Sequence, residues 1–288
     1  MFVDLARVRQ SVDQAVEVAV KRGHNSGPML PETAGIRQLL LISGAAGSLT
    51  PDVRQKLIEA FPLHHVEEFN PEEDFLAELA PGAAVVVAGG DGTTAFVARK
   101  LAGSGHPLGI LPLGTFNNFA RSLKLPLDVA EAIQVIKHGQ AQAVTVGRLG
   151  GRAFLEAASA GLAGLVVEAG EALKDLHFGE LGRELAELLS SRRFEYRLSG
   201  DLEHSGNAFS LTFANTPSIG ALIPLADTTP REPSLTFVRH PGGGVPFRRA
   251  WLETEPPVEV YADNTAAGYT PMEISADSRS LEVILPAG

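Results

Sequence analysis

The stretch AAVVVAGGDGTTAFVARKL (83–101) decides how the chain is read. Its apolar start has the length of a strand buried on both faces, and TTAFVARKL continues as a helix. Between them lies GGDGT (89–93). A strand that ends in two glycines and opens onto a helix lets backbone N–H groups approach a phosphate, with the helix dipole behind them. Asp91 adds a carboxylate at the same point, suited to Mg2+ or to the phosphates it bridges, while Thr93 and Thr94 add hydroxyl and backbone donors. Many glycine-rich strand-to-helix turns serve close packing alone, so the motif by itself leaves both readings open.

Working outward, the same grammar repeats. Upstream, RQLLLIS (37–43) reads as a buried strand, SGAAGSLT (43–50) as a glycine-rich turn, and PDVRQKLIEAF (51–61) as a helix with proline in its first turn. LHHVEEF (63–69) is a short strand, and NPEEDFLAELA (70–80) is expected to be a helix capped by Asn70. Downstream, PLGILPLG (107–114) is another strand and DVAEAIQVIKHGQ (128–140) a helix ending at Gly139. Alternating apolar strands and helices predict a largely parallel sheet covered on both faces.

After residue 142 strands dominate. AQAVTVGRL, GRAFLEAAS, FEYRLSG, NAFSLTFAN, SLTFVRH, PPVEVYAD, PMEIS and LEVILP are short and punctuated by Gly, Pro, Asn and Asp, as in an antiparallel sheet or sandwich. One helix, about 171–190, is expected among them. The fold class is therefore α/β: an N-terminal parallel-sheet nucleotide-binding domain over 36–142, then a β-rich, sandwich-type domain over 143–288 whose last strand could return to the first. Residues 1–35 form an extension in which 3–22 have amphipathic helical spacing and 24–35 read as a linker. A packing arm or homodimer contact is the plain reading of that helix.

Composition narrows the function. With 24 Lys+Arg against 34 Asp+Glu and a net charge of -10, the chain carries no general attraction for nucleic acid. The arginine clusters SSRRFEYR (190–197) and FRRAW (247–251) read as solvated surface. Zero cysteines exclude disulfides, thiol nucleophiles and cysteine-ligated metals. Asp4 and Arg7 interrupt the N-terminal apolar run, which does not read as a signal peptide, and no stretch approaches a spanning helix, so a cytoplasmic location is expected. No G-x-S-x-G elbow is present, and no histidine pair has metal-ligand spacing.

A second polar loop sharpens the reading. In LPLGTFNNFARSL (111–123) a strand ends at Gly114 and is followed by Thr115, Asn117, Asn118 and Arg121. Ligands of open parallel sheets sit beyond the carboxyl ends of the strands, where both loops lie. One asparagine could cap the helix that begins at FARSL, but capping does not require both loops to be polar.

Together, GGDGT and PLGTFNNFAR resemble the catalytic domain of the bacterial diacylglycerol kinase-like lipid kinases, relatives of sphingosine and ceramide kinases and, more distantly, of NAD kinases. The likeness is strongest over 83–125 and traceable after residue 36. It implies ATP held between an α/β and a β-rich domain, with Mg2+, and a lipid hydroxyl such as that of diacylglycerol attacking the γ-phosphate. Gly89, Gly90, Asp91, Gly92, Thr93, Thr94, Ala95, Gly114, Thr115 and Asn117 would bind the nucleotide, and Asp91 would also hold the metal and serve catalysis. A role in phospholipid biosynthesis, with peripheral contact at the inner face of the membrane, follows from the same likeness.

The second domain departs from the family. An Asp-Gly-Glu whose Glu is taken as the general base falls on Asp263, Asn264 and Thr265, and a hydroxyl has no useful basicity at neutral pH. Asp263 is then the catalytic candidate, with Glu273 offered by another alignment. A structural-metal Asp-Gly expected within 223–237 is absent, leaving Asp227 or Glu232 as replacements. These losses raise a second possibility, a catalytically impaired relative that binds nucleotide or lipid and regulates a partner.

Overall fold

The computed structural model describes residues 35–161, 193–220, 223–238, 243–263 and 265–287. Its first half alternates strand and helix: β1 (Ile36–Ile42), α1 (Pro51–Ala60), β2 (His65–Glu68), β3 (Leu79–Gly89), α2 (Asp91–Leu101), β4 (Leu108–Pro112), α3 (Asn118–Ser122) and α4 (Val129–His138). The pairings β1–β2, β1–β3 and β3–β4 are all parallel. Successive apolar residues of each strand point to opposite faces, so one sequence feeds two cores. Leu40, Ile42, Val86, Ala88 and Leu111 pack with Leu57 of α1 and Ala132 and Ile133 of α4. On the other face Leu39, Leu41, Val85, Val87 and Ile110 meet Val97, Ala98 and Leu101 of α2 and Phe119 of α3.

Beyond α4 the described chain is all strand: β5 (Gln140–Leu149), β6 (Arg152–Phe154), β7 (Ala157–Gly161), β8 (Phe194–Gly200), β9 (His204–Ala208), β10 (Ser210–Ala214), β11 (Ser218–Ile219), β12 (Ile223–Pro224), β13 (Leu235–Val238), β14 (Gly244–Phe247), β15 (Arg249–Glu255), β16 (Glu259–Ala262), β17 (Thr265–Tyr269) and β18 (Met272–Leu285). β18 joins the halves. Val283 lies parallel to Leu108 of β4, while β18 runs antiparallel to β5 and to β15. The result is a sheet ordered β2-β1-β3-β4-β18-β15-β8-β9, with β5 beside β18 and β6, so the strand pairing is continuous across residue 142. A second, antiparallel sheet, β14-β13-β10-β7-β16-β17, lies against it. Leu198, Ala250, Leu252 and Ile274 from the first sheet share one core with Phe213, Phe237 and Val260 from the second.

Pro51 opens α1 and Gly139 closes α4, as the sequence predicts. Thr50 caps α1, its side chain accepting from Val53 N, and Asp128 caps α4 by accepting from Glu131 N. One expected helix is not formed. Over 70–80 only a single 3₁₀ turn, Phe75–Glu78, is present. Leu79 already pairs with Ile36, so the ladder of β3 claims the backbone that a longer helix would need. Asn70 instead closes a local turn, accepting from Glu72 N and donating to Glu73.

Two further differences concern strands. GRAFLEAAS is divided, with Leu155 and Glu156 linking β6 to β7. PMEIS and LEVILP are one strand whose register against β5 shifts between Asp277 and Leu281, where Arg279 has φ 60°. The arginines of FRRAW flank or begin β15, with Arg248 and Arg249 exposed. The expected helices at 3–22 and 171–190 lie outside the described residues. Among the described residues no helix is long and apolar enough to cross a membrane.

Candidate active site

Three loops leave the carboxyl ends of β1, β3 and β4 and are tied together by backbone. Ser43 N donates to Ala88 O, Leu113 N to Gly89 O, and Ser48 N to Leu113 O. Thr93 Oγ1 donates to Ser43 Oγ at 3.2 Å. Closest of all are the two glycine turns. A Cβ placed on Gly114 would fall 2.6 Å from the Cα of Gly90, nearer than real side chains approach backbone. Glycine at 114 is therefore a steric requirement of bringing GGDGT against PLGTFNN.

Asp91 opens α2. The N-cap is Gly90, whose lack of a side chain leaves the first turn without a capping bond. An uncapped helix start with glycine on either side of Asp91 presents donors and a positive dipole end, the arrangement that suits a phosphate. Asp91 Oδ2 accepts from Asn117 N at 2.8 Å. Burial raises the Asp91 pKa above its ordinary value, opposed by N–H groups of Asn117, Asn118 and Phe119 and by the Arg121 charge.

Asn117 holds the second loop by an unexpected route. It precedes α3 in the left-handed region, φ 52° and ψ 47°, and makes no capping bond with its side chain. Its Oδ1 instead accepts from Gly114 N at 3.0 Å and its Nδ2 donates to Gly114 O at 2.8 Å. Asn118 does not cap either: its Nδ2 donates to Glu156 Oε2 at 3.1 Å and to Gly220 O at 2.9 Å. Both asparagines are buried, and neither does the capping work that a helix start would explain.

Of the other nucleotide-loop candidates, Gly92 and Thr115 are exposed beside these turns. Thr94 and Ala95 are buried, at 4% and 8% exposure, and Ala95 belongs to the core beneath the loop. Buried in this way, neither side chain is presented on the surface of the loop.

Asp263 sits in the hairpin between β16 and β17 with φ 51°. Its Oδ1 accepts from Leu155 N, Glu156 N and Ala157 N at 3.1, 2.8 and 3.4 Å, and Arg99 Nη1 of α2 pairs with Oδ2 at 3.1 Å. Burial raises its pKa, with those N–H groups and Arg99 pulling the other way. A carboxylate so fully engaged clamps β6–β7 to α2. Thr265 is exposed on the next strand, and Glu273 lies on β18 near Arg249 at 3.7 Å.

The residue that sequence reasoning missed is Glu156. It is 9% exposed, between the fully buried Leu155 and the buried Ala157. Burial first, then the charges of Asp263 and Asp91, push its pKa from 4.5 up to about 8, against a Gly220 N–H and the Asn118 amide. A signal existed: one carboxylate inside the otherwise apolar run AFLEAASAG (153–161).

Asp91, Asn117, Asn118 and Glu156 thus form one connected patch, with Asp263 behind it. Among the described residues no group of three or more His, Asp or Glu has metal-ligand geometry. Mg2+ in phosphoryl-transfer sites is usually held by one or two carboxylates together with substrate phosphates, so the donor chemistry around Asp91 fits a metal carried on a nucleotide.

In sequence and in fold the chain is similar to known lipid kinases. A profile of the diacylglycerol kinase catalytic domain matches residues 43–149. The YegS-like lipid kinase of Pseudomonas aeruginosa is 32% identical over 244 residues, 73% of this chain and 79% of that protein. A lipid kinase of Staphylococcus haemolyticus is 33% identical over 162 residues, although the match spans only 51% of its length and 52% of this chain. The crystal structure of a diacylglycerol kinase from Bacillus anthracis superimposes with a TM-score of 0.66, covering 87% of this chain and 97% of that one at 22% identity. At that identity the superposition bears on the fold.

Proposed function

The chain belongs to the diacylglycerol kinase-like lipid kinase family, and from that premise we propose that it transfers the γ-phosphate of ATP to a lipid hydroxyl such as that of diacylglycerol. The observation that carries the reading is the contact of the two glycine turns, Gly90 against Gly114, beside the uncapped start of α2. Backbone donors converge there on the place a phosphate would take.

Each residue has a physical task. Gly89, Gly90 and Gly92 keep side chains out of the way, Thr93 and Thr115 offer hydroxyls, and Asn117 fixes the second turn while its own N–H orients Asp91. Asp91 would hold Mg2+ borne by the phosphates, and the ion would neutralise their charge. Phosphoryl transfer depends mainly on such positioning and charge neutralisation. The acceptor lies in a bilayer, so peripheral contact with a membrane surface belongs to the same proposal.

Phosphate transfer from labelled ATP with Mg2+ to diacylglycerol, ceramide, sphingosine and NAD is the test, with Asp91→Ala beside the parent. Transfer to one lipid, lost in Asp91→Ala, is expected. A specific observation favours a second reading: Thr265, an exposed hydroxyl, stands where a base would be expected. Nucleotide binding without transfer by the parent, and transfer gained by Thr265→Glu, would establish a regulatory binding protein. Absence of both nucleotide binding and transfer would overturn both.

A further inference from the structure

Transfer to a hydroxyl requires a place for the hydroxyl proton, and the site offers three carboxylates. Asp263 is committed to three backbone N–H groups and Arg99. Asp91 accepts from Asn117 N and lies at the phosphate end of α2. Glu156 is different. Its backbone is locked, its C=O accepting from Asn215 N, Thr216 N and Thr216 Oγ1. Among the described residues its carboxylate is met by the Asn118 amide and a Gly220 N–H, neutral donors in place of the arginine that Asp263 has.

We propose, resting on the kinase reading above, that Glu156 is the carboxylate that takes the proton from the acceptor hydroxyl, the role for which Thr265 is chemically unfit. Two placements support it. Asn118, which holds Glu156 Oε2 at 3.1 Å, is the immediate neighbour of Asn117, which holds Asp91 at 2.8 Å, so two short bonds relate the carboxylate to the phosphate loop. Asp263 fixes the backbone of Glu156 from the other side, making Asp263 and Asn118 positioning residues. A structural explanation is weak: the arginine that could neutralise a buried carboxylate, Arg99, is paired with Asp263. Burial and neighbouring charge raise Glu156 to about 8, so the ionised form that accepts a proton grows as pH rises toward that value.

In the step, the acceptor oxygen bonds to the γ-phosphorus as the bond to the β,γ-bridging oxygen breaks. That oxygen's electron pair leaves with the nucleoside diphosphate. The hydroxyl proton passes to Glu156.

The test compares the parent with Glu156→Gln and Glu156→Asp, measuring kcat and KM for the lipid that the parent uses and ATP affinity by calorimetry. Expected is a fall in kcat of about 10²–10⁴-fold in Glu156→Gln, with ATP affinity and thermal stability retained and partial recovery in Glu156→Asp. Turnover by Glu156→Gln within about threefold of an active parent would overturn the assignment of Glu156 and leave the kinase reading intact. A parent that phosphorylates no acceptor would overturn the kinase reading, and this assignment with it.

Discussion

Asp263, partly buried, and Glu156, buried, are neighbouring carboxylates that the fold treats in opposite ways. Asp263 has an arginine and three N–H groups, whereas Glu156 has amide donors and like charges. Removing the partner of a buried charge commonly costs about 3–5 kcal/mol, so Asp263→Ala is expected to lower stability by about that much in denaturant titration while stranding Arg99. Glu156 predicts a pH effect. Its folded-state pKa of about 8 lies above the ordinary 4.5, so between those values the folded chain keeps a proton that the unfolded chain releases. Stability from this group is complete below pH 4.5 and declines as pH rises toward 8. Glu156→Gln mimics the protonated carboxyl and removes the decline. The Tm of the variant relative to the parent should therefore rise from pH 5 to pH 8, and a constant difference would refute the shift. At this scale the sequence was partly legible: Asp91 stood in a recognisable loop, while Glu156 sat in an apolar strand-like run whose break at 155–156 follows from Asp263, over 100 positions away.

Among the elements, Pro51 at the start of α1 and Gly139 at the end of α4 were legible because local physics decides them. Thr50 and Asp128 cap their helices because the chemistry of a cap is contained in one turn. The expected helix over 70–80 failed because Leu79 is recruited by Ile36, a partner that no window of that segment contains. The partners of the second loop's asparagines were out of reach of the sequence for the same reason. Asn117 holds Gly114, and Asn118 reaches Glu156 and Gly220, so their roles depend on how loops meet. Gly114→Ala should expose this dependence. The new methyl would meet Gly90 Cα at 2.6 Å and Asn117 Oδ1 at 2.9 Å, forcing the loops apart. A stability loss of about 1–3 kcal/mol is expected from that overpacking, with ATP affinity falling at least tenfold by calorimetry.

Across the molecule, β18 is the seam. It lies beside β4 in the parallel region and beside β5 and β15 in the antiparallel region, so neither half of the long sheet is complete without it. Unfolding the halves separately would break that strand's pairing on one side. Trp251 of β15 is the single tryptophan and reports the β-rich half. Its fluorescence and far-UV circular dichroism should give coincident denaturation curves, and two separated transitions would contradict the shared strand. From its own residues the chain determined the alternation of apolar strands and helices, the caps, and the two glycine loops at strand ends, because these depend on periodicity and on neighbours within a turn or two. Only the tertiary structure decided that β18 returns between β4 and β15, that Gly90 lies against Gly114, and that Glu156 meets Asn118 of the second glycine loop. Those facts depend on contacts between residues distant in sequence, where packing and burial act on the chain as a whole.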